Sequence, residues 1–385
     1  MKFLHLGDLH LGKSLGDFDL IRDQKFILDQ ILEIVKKQSV DAVLIAGDVY
    51  DRAVPSEAAT KLLDYFLSSL AEAGIMTFVI SGNHDSDERL NYGSDLFEKN
   101  RIYISAKYEG TLYKKTVTDD YGEIDIYLLP FVKASQVKHF LPDAKIENYD
   151  DAVRAVLGQA QVDAARRNVI VAHQFVIGSS EDPVISGSEG VGVQSVGLVE
   201  KIGYDCFKDF DYVALGHIHS PQKIGREEVR YSGSPLKYSL SEVANDKSVP
   251  VITMEEKGKT SIELIPLKPV RDMRHIKGEL KQLLKKENVT DTEDFIYATL
   301  TDEDIVNDAM GIFQQIYPNT VKIDYDNSHT KELDQVDISK IAENRSFEEL
   351  ITDFYSKIYG CEISEEEMDI MRMVAREAGV MDEAD

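Results

Sequence analysis

Five short stretches place His, Asp or Asn directly after an apolar run: Gly7-Asp8-Leu9-His10, Gly47-Asp48-Val49-Tyr50-Asp51-Arg52, Gly82-Asn83-His84-Asp85, Ala172-His173 and Gly216-His217-Ile218-His219. They hold five of the nine histidines, and random scatter would not gather them at strand ends. Taken singly, a strand-end Asp is more often a turn or cap residue. A lone His such as His173 is usually a satisfied imidazole, and Asn83 before His84 is ordinary turn chemistry. Together they offer hard oxygen and borderline nitrogen donors without thiolate, a set that suits Mn²⁺, Fe²⁺, Mg²⁺ or Zn²⁺ in five- or six-coordinate shells. Asp8 and His10 are two apart, so along extended chain they point the same way and can grip one ion. His217 and His219 repeat that spacing. The Asp48 carboxylate has two oxygens and can bridge two ions. Glycine before Asp8, Asp48, Asn83 and His217 lets the backbone turn and come close to the ions.

Paired ions suit one kind of chemistry. Two divalent cations about 3.5–4 Å apart clamp the non-bridging oxygens of a phosphate ester and stabilise both the attacking and the leaving oxygen. A water bound to such an ion falls from a pKa of 15.7 to about 7–9. Charge bears on the substrate. The chain carries a net charge of −26 and a pI near 4.7, which by itself argues against nucleic acid, whose phosphates are met by Lys and Arg. Bound cations reverse the sign locally, since the carboxylates of Asp8 and Asp48 cannot neutralise two divalent ions, and a basic partner chain can supply the rest.

The elements that must hold these residues follow from periodicity. Lys2–Leu6, Ala42–Ala46, Thr77–Ser81, Ile124–Pro130, Asn168–Ala172, Tyr212–Leu215 and Val229–Tyr231 read as strands. Leu20 to Val35 has helical spacing with Gln24 as the one polar intruder. Leu62, Leu63, Phe66, Leu67 and Leu70 mark a second helix closed by Gly74. Val249–Met254 and Thr260–Ile265 flank Lys257-Gly258 as a hairpin. Strand ends in α/β folds are where sites are built. The 385 residues call for two or three domains. A layered α/β domain over residues 1–268 is followed by a small α+β domain over residues 269–330. In it, Asp272–Glu287 and Glu303–Ile316 read as helices, and Phe295–Thr301 and Thr320–Tyr325 as strands. Residues 331–342 read as a polar linker and residues 343–385 as a helical tail. In the tail, Ser346 with Glu349 and Ser364 with Glu367 are capping boxes. Phe347, Leu350, Ile351, Phe354 and Ile358 line one tail helix up to Gly360, and Met368, Met371, Val374 and Ala375 line the next. Two short amphipathic helices cannot form a core alone. They either fold back on the body or dock against another chain.

Other features are quieter. There is no eighteen-residue apolar run for a membrane span, and the start lacks the long apolar stretch of a signal peptide. Cys206 and Cys361 are far apart with no CxxC spacing, which points to a reducing cytosol and excludes a thiolate zinc site. His5 is expected to be a packed side chain, and His139, His275 and His329 to be surface residues.

Asp-x-His, Gly-Asp-x-x-Asp, Gly-Asn-His-Asp, a lone His and Gly-His-x-His, in that order, resemble the motif set of the calcineurin-like metallophosphoesterases. More narrowly, MKFLHLGDLHLGKSL, GDVYDRAVPSEAA, SGNHDSDERLNYGS, ALGHIHSPQ and YSGSPLKYSLSE resemble the SbcD-type nuclease subunits, a likeness that runs essentially end to end. The resemblance implies a four-layer α/β fold, a two-sheet β-sandwich flanked by helices with metals at the strand ends. It further implies a small α+β capping domain facing DNA and a C-terminal helical partner-binding tail. It places Asp8, His10, Asp48 and His219 around the first metal and Asp48, Asn83, His173 and His217 around the second. His84 matches the catalytic His, which contacts the scissile phosphate or protonates the leaving oxygen without binding metal. Mn²⁺ is the implied ion, with Mg²⁺, Fe²⁺ or Zn²⁺ as alternatives. Some relatives carry a second catalytic His near the Asp48 motif; here Asp51 and Arg52 stand there. Implied partners are an SbcC-type coiled-coil ATPase, DNA, and a second copy within a heterotetramer, in a cytoplasmic, nucleoid-associated setting. The implied activity is Mn-dependent 3′–5′ double-strand exonuclease with single-strand and hairpin endonuclease, in DNA repair, recombination and replication. The rival reading is another phosphoesterase, a phosphoprotein phosphatase or cyclic-nucleotide phosphodiesterase. Protein phosphatases typically carry Glu in place of Asp85 and lack the tail. A scaffold that has lost its chemistry is disfavoured, because every ligand position is filled. The segments Tyr231–Ser234 and Tyr238–Glu242 stand out as a subfamily signature without an evident physical role.

Overall fold

Ala42–Ala46 is apolar at every position because both of its faces are covered, the signature of a buried parallel strand. In the computed structural model, which describes residues 1–178, 182–185, 201–328, 347–359 and 363–377, it lies at the centre of a six-stranded mixed sheet. That sheet is built from β1 (Lys2–Leu6), β2 (Ala42–Ala46), β3 (Met76–Ile80) and β4 (Ile102–Ser105). A second sheet holds β5 (Tyr113–Asp119), β6 (Gly122–Leu129), β7 (Arg167–His173), β8 (Tyr212–Gly216), β9 (Gln222–Ile224) and β10 (Arg226–Tyr231). The chain then returns to the first sheet as the hairpin β11 (Ser248–Met254) and β12 (Thr260–Pro266). The orders are β12-β11-β1-β2-β3-β4 and β9-β10-β8-β7-β6-β5. β1 to β4 are mutually parallel, and so are β6, β7, β8 and β10, so the carboxyl ends within each group lie together.

Strand alternation sorts the side chains into three cores. Ala42, Leu44 and Ala46 share the inter-sheet core with Val169, Val171, Tyr212 and Ala214. Val43 and Ile45 point the other way, into α1 (Ile21–Gln38) and α2 (Glu57–Glu72), which contribute Ile27, Ile31, Phe66 and Leu70. Beneath the second sheet, Ile170 and Ala172 meet Val153 and Val156 of α3 (Tyr149–Ala160). The result is four layers, helix, sheet, sheet, helix. Two of its helices begin at a capping side chain: Ser56 accepts the Ala59 N–H at 3.2 Å ahead of α2, and Asn148 accepts the Asp151 N–H at 2.9 Å ahead of α3.

Several local readings change, and the strand Ile102–Ser105 and the helix Tyr149–Ala160 are elements the pattern did not single out. Tyr113–Asp119 is a strand the pattern did not suggest; its exposed edge position tolerates Lys114, Lys115 and Thr116. Asp272–Glu287 is not one helix. Met273–Gly278 is a strand, β13, with alternating burial, followed by one helical turn, Leu280–Leu283. A run this short fits both periods, and Met273 is claimed by the core beside Phe295. The helix expected over Glu303–Ile316 shrinks to Ala309–Gln314. Asp308 in the left-handed region caps it by accepting the Gly311 N–H and bars extension backwards. With β14 (Phe295–Leu300) and β15 (Thr320–Tyr325), β13 makes a three-stranded sheet in the order β13-β14-β15.

The described residues form two units. The first comprises Met1–Lys277, Lys281–Ala298 and Asp308–Ile323. The second comprises Gly278–Leu280, Thr299–Asn307 and the described part of Asp324–Asp385. It includes the tail helices α4 (Phe347–Tyr359) and α5 (Glu365–Glu377). The Ser364 capping box forms: the Ser364 N–H donates to Glu367 Oε2 at 3.0 Å, and the Glu367 N–H to Ser364 Oγ at 3.3 Å. Ser346, Gly360, Cys361, His329, residues 186–197 and the stretch 331–342 read as a linker lie outside the described residues. No helix among the described residues is long and apolar enough to cross a membrane.

Candidate metal centre

All five motifs lie at carboxyl ends of parallel strands. Asp8 and His10 follow β1, Asp48 follows β2, Asn83 and His84 follow β3, His173 ends β7, and His217 and His219 follow β8. The two sheets press together at this rim. A Cβ on Gly216 would overlap the carbonyl of Ala46 and the His173 ring, so glycine is required there for close approach, not for a turn. Gly47 does need its freedom, with φ +82°. The donors themselves are strained: Asp8 (φ 54°), His10 (φ 42°), Asp48 (φ 47°) and His217 (φ 97°) all occupy a region L residues avoid. Such strain concentrates at functional sites and persists only where packing over-determines it.

The structure brings together every residue the motifs singled out. Nε2 of His10 lies 3.1 Å from Nε2 of His219 and 3.6 Å from Asp48 Oδ2. The same Asp48 oxygen lies 3.4 Å from His173 Nε2. Asn83 Oδ1 is 3.0 Å from both His173 Nε2 and His217 Nδ1. Asp8 Oδ1 accepts the His217 N–H at 2.8 Å. The groups Asp8–His10–His219 and Asp8–Asp48–His173 each present donor atoms within 4.8 Å of one another. Asp48 thus sits between two donor clusters, with Oδ2 facing both. Asp8 Oδ2 and His217 Nε2 are buried without a hydrogen-bond partner, which is costly for a polar atom unless something else meets it. Crowded imidazole nitrogens, orphaned oxygen and buried carboxylates together fit a pair of divalent cations.

Electrostatics agree. Burial lifts the Asp8 carboxyl to about 6 against the pull of His173 and His219. Burial holds His10 well below the usual imidazole range and His217 at about 3. Burial would lower His173 too, but the Asp48 and Asp8 carboxylates and the Ala46 carbonyl together outweigh it and hold a proton there up to about 9. That proton occupies the charge role a cation at this position would take.

His84 stands slightly apart. Its N–H donates to Asp48 Oδ1 at 2.9 Å, and its Nδ1 is 3.0 Å from the Asp51 carbonyl, which fixes the proton on Nδ1 and leaves Nε2 outward. Its ring is edge-on to His10 at 4.8 Å. Asp51 is tied to Lys13 at 2.7 Å and lies 3.6 Å from His10 Nδ1. Arg52 is largely exposed and 3.7 Å from Asp51. His5 is fully buried against the Tyr212 hydroxyl, and His139 and His275 are exposed.

The motifs did not reveal the shell behind them. Gln24, the polar intruder in α1, accepts the Gly12 N–H at 2.9 Å and donates to the His10 carbonyl at 2.7 Å. Asp85 accepts N–H bonds from Gly82, Val49 and Tyr50, lashing two motif loops together; desolvation and then the Asp48 charge lift its carboxyl to about 6. Tyr238 donates to the Leu9 carbonyl at 2.5 Å, and Tyr231 to the Gln174 carbonyl at 3.0 Å. Glu242 lies 3.1 Å from His219 Nδ1. The subfamily signature therefore packs behind the loops that carry the donor motifs. Its conspicuous residues were the only sequence signal of that role.

The chain belongs to the calcineurin-like phosphoesterase family, whose model matches residues 1–221. Residues 269–359 match a second model, described as the type 5 capsule protein repressor C-terminal domain. The chain is 33% identical over 379 residues to the SbcD component of nuclease SbcCD from Staphylococcus epidermidis, covering 96% of each. It is 34% identical over 367 residues to the same component of nuclease SbcCD from Staphylococcus saprophyticus, covering 94% of each. A dimetal phosphatase from Danio rerio aligns at a TM-score of 0.38 with 11% identity, over 70% of this chain and 98% of that one.

Proposed function

We propose that this chain is the nuclease subunit of an SbcCD-type complex, cutting DNA phosphodiesters with two divalent ions. The observation that carries the reading is the convergence of Asp8, His10, Asp48, Asn83, His173, His217 and His219 on one rim, in a chain alike over nearly its whole length to nuclease subunits. End-to-end likeness to those subunits favours this over a phosphoprotein phosphatase or cyclic-nucleotide phosphodiesterase.

In this reading Asp8, His10, Asp48 and His219 hold one ion and Asp48, Asn83, His173 and His217 the other. Mn²⁺ is the ion proposed. When bound, the pair supplies Lewis acidity and a nucleophilic hydroxide near neutral pH. The protein does the rest. Asp48 holds its carboxylate toward both clusters because its other oxygen is engaged by the His84 N–H. His84 presents Nε2 to the scissile phosphate and protonates the leaving oxygen. Asn83 is exposed, so the substrate enters from its side.

The region 269–330 serves as a DNA-facing cap, and the tail docks on the coiled coil of an SbcC-type ATPase. Support for the second point is the apolar surface the tail helices present: Phe354 is 59% exposed, Ile370 57% and Met373 56%. The partner's basic surface would offset the chain's charge of −26 on DNA. A heterotetramer with two copies of this chain, at the nucleoid, completes the proposal. The test incubates purified protein with a labelled duplex and with a phosphomonoester, each with and without Mn²⁺. Metal-dependent shortening of the duplex from its 3′ ends is expected. Hydrolysis of the monoester alone would overturn the nuclease reading.

A further inference from the structure

Behind His219 lies a charge cluster that the five donor motifs do not account for. Glu242 is fully buried, His219 is 1% exposed and Lys247 is 5% exposed. Glu242 Oε1 lies 3.1 Å from His219 Nδ1 and accepts from Ser239 Oγ at 3.3 Å. Its Oε2 accepts from Lys247 Nζ at 2.6 Å and from Ser234 Oγ at 3.1 Å. Lys247 Nζ also donates to the His219 carbonyl at 2.9 Å and to Ser234 Oγ at 2.8 Å. Burying such a pair is expensive, and apolar residues of equal volume would often be as stable or more so. Stability alone therefore does not explain why a carboxylate and an ammonium sit here.

The other donor histidines lack this backing. Nδ1 of His173 bonds a neutral carbonyl, Ala46 O, at 2.8 Å; His217 turns Nδ1 toward Asn83 Oδ1 in the donor cluster, and its Nε2 has no hydrogen-bond partner. Nδ1 of His10 is 3.6 Å from Asp51, beyond hydrogen-bond reach. Among the four, His219 alone has a carboxylate at hydrogen-bond distance behind it. A carboxylate on one ring nitrogen fixes the tautomer, aims the other nitrogen and makes it a stronger donor. His219 Nε2 is the atom 3.1 Å from His10 Nε2.

We infer that Glu242 is a positioning residue that tunes one of the two metal positions, the one shared by His10 and His219, with Lys247 balancing its charge. The inference rests on the two-metal reading above. It makes the two positions unequal: one ion is held by a charge-backed imidazole, the other by imidazoles with no carboxylate behind them. Losing the carboxylate weakens one ion and spares its neighbour.

The experiment titrates the full-length, metal-stripped chain with Mn²⁺ by calorimetry. Electron paramagnetic resonance follows the exchange-coupled pair. Glu242→Gln alone would strand the Lys247 charge, so the main variant is Glu242→Gln with Lys247→Met, which removes both charges at similar volume. Glu242→Asp keeps the charge but shortens its reach, and gives an independent comparison. The expected result is a loss of about 10–100-fold in affinity for one Mn²⁺ of the two. The coupled signal gives way to a mononuclear one at intermediate Mn²⁺, with unchanged circular dichroism. A merely structural role predicts either no change or equal weakening of both ions, and either result overturns the inference. Uptake of fewer than two Mn²⁺ by the wild-type chain would overturn the two-metal reading and this inference with it.

Discussion

The His84 side chain makes no bond to the seven clustered donors; its backbone N–H is what holds Asp48 Oδ1, at 2.9 Å. Its ring is anchored instead by Nδ1 on the Asp51 carbonyl at 3.0 Å. Replacing His84 by Gln keeps the N–H, keeps a similar volume and removes the titratable ring. Both ions should remain. Losing the anchoring hydrogen bond costs about 0.5–1.5 kcal/mol of stability, too little to unfold the domain. Losing general acid catalysis should cost about 10²–10⁴ in rate, which is about 2.7–5.4 kcal/mol of barrier. Two assays separate these effects. Elemental analysis after gel filtration counts retained Mn²⁺. Steady-state rates are compared for a DNA oligonucleotide and for bis(p-nitrophenyl) phosphate, whose leaving group departs without needing a proton. The rate loss should be large on DNA and much smaller on the activated ester. Metal loss from the variant, or equal losses on both substrates, would refute the role given to His84.

Gly216→Ala should lower the melting temperature and the metal content together, because its methyl would strike the Ala46 carbonyl and the His173 ring; overpacking of this kind costs about 1–3 kcal/mol, read by thermal denaturation. Asp119 accepts two hydrogen bonds from the buried Arg167, at 2.5 and 3.2 Å. Burial opposes its charge, but Arg167, the Met1 ammonium and the Tyr121 N–H together outweigh burial and hold the carboxyl well below the usual range. The folded value is depressed, so the contribution is present above an unfolded carboxyl's value of about 3.9 and disappears as pH falls. Asp119→Asn should cost about 1.5–3 kcal/mol near neutral pH, with the gap to wild type closing in acid; parallel pH–melting curves would contradict this. Removing residues 343–385 should leave cleavage of short single strands intact and end co-purification with the coiled-coil ATPase.

The candidate donor set was readable without coordinates, because the chain has only nine histidines and five of them, with Asp and Asn beside them, follow apolar runs, a clustering visible in one dimension. The buried strands were readable for the same reason. Continuous apolar stretches such as Ala42–Ala46 and Tyr212–Leu215 need cover on both faces, which already implied layers. Turn chemistry was local too, and Ser364 with Glu367 capped the helix they announced. Short alternating runs were not decisive: Met273–Gly278 fits either period, and only packing beside Phe295 made it a strand. Likewise Asp308 stopped a helix that composition alone would have extended.

The convergence itself, and everything behind it, belongs to tertiary structure. His10 meets His219 across 209 residues, and Tyr238 reaches Leu9 across 229. Gln24 looked like a flaw in an apolar stripe, until its amide proved to hold the His10 loop. Glu242 stood in a signature whose role the sequence did not explain, and Lys247 stood outside it. Their burial against His219 is set by how two sheets close on each other, a contact between distant segments that local periodicity does not encode. Local patterns report which groups a segment offers; only the packing of sheet on sheet decides which of them meet, in what geometry and with what charge behind them.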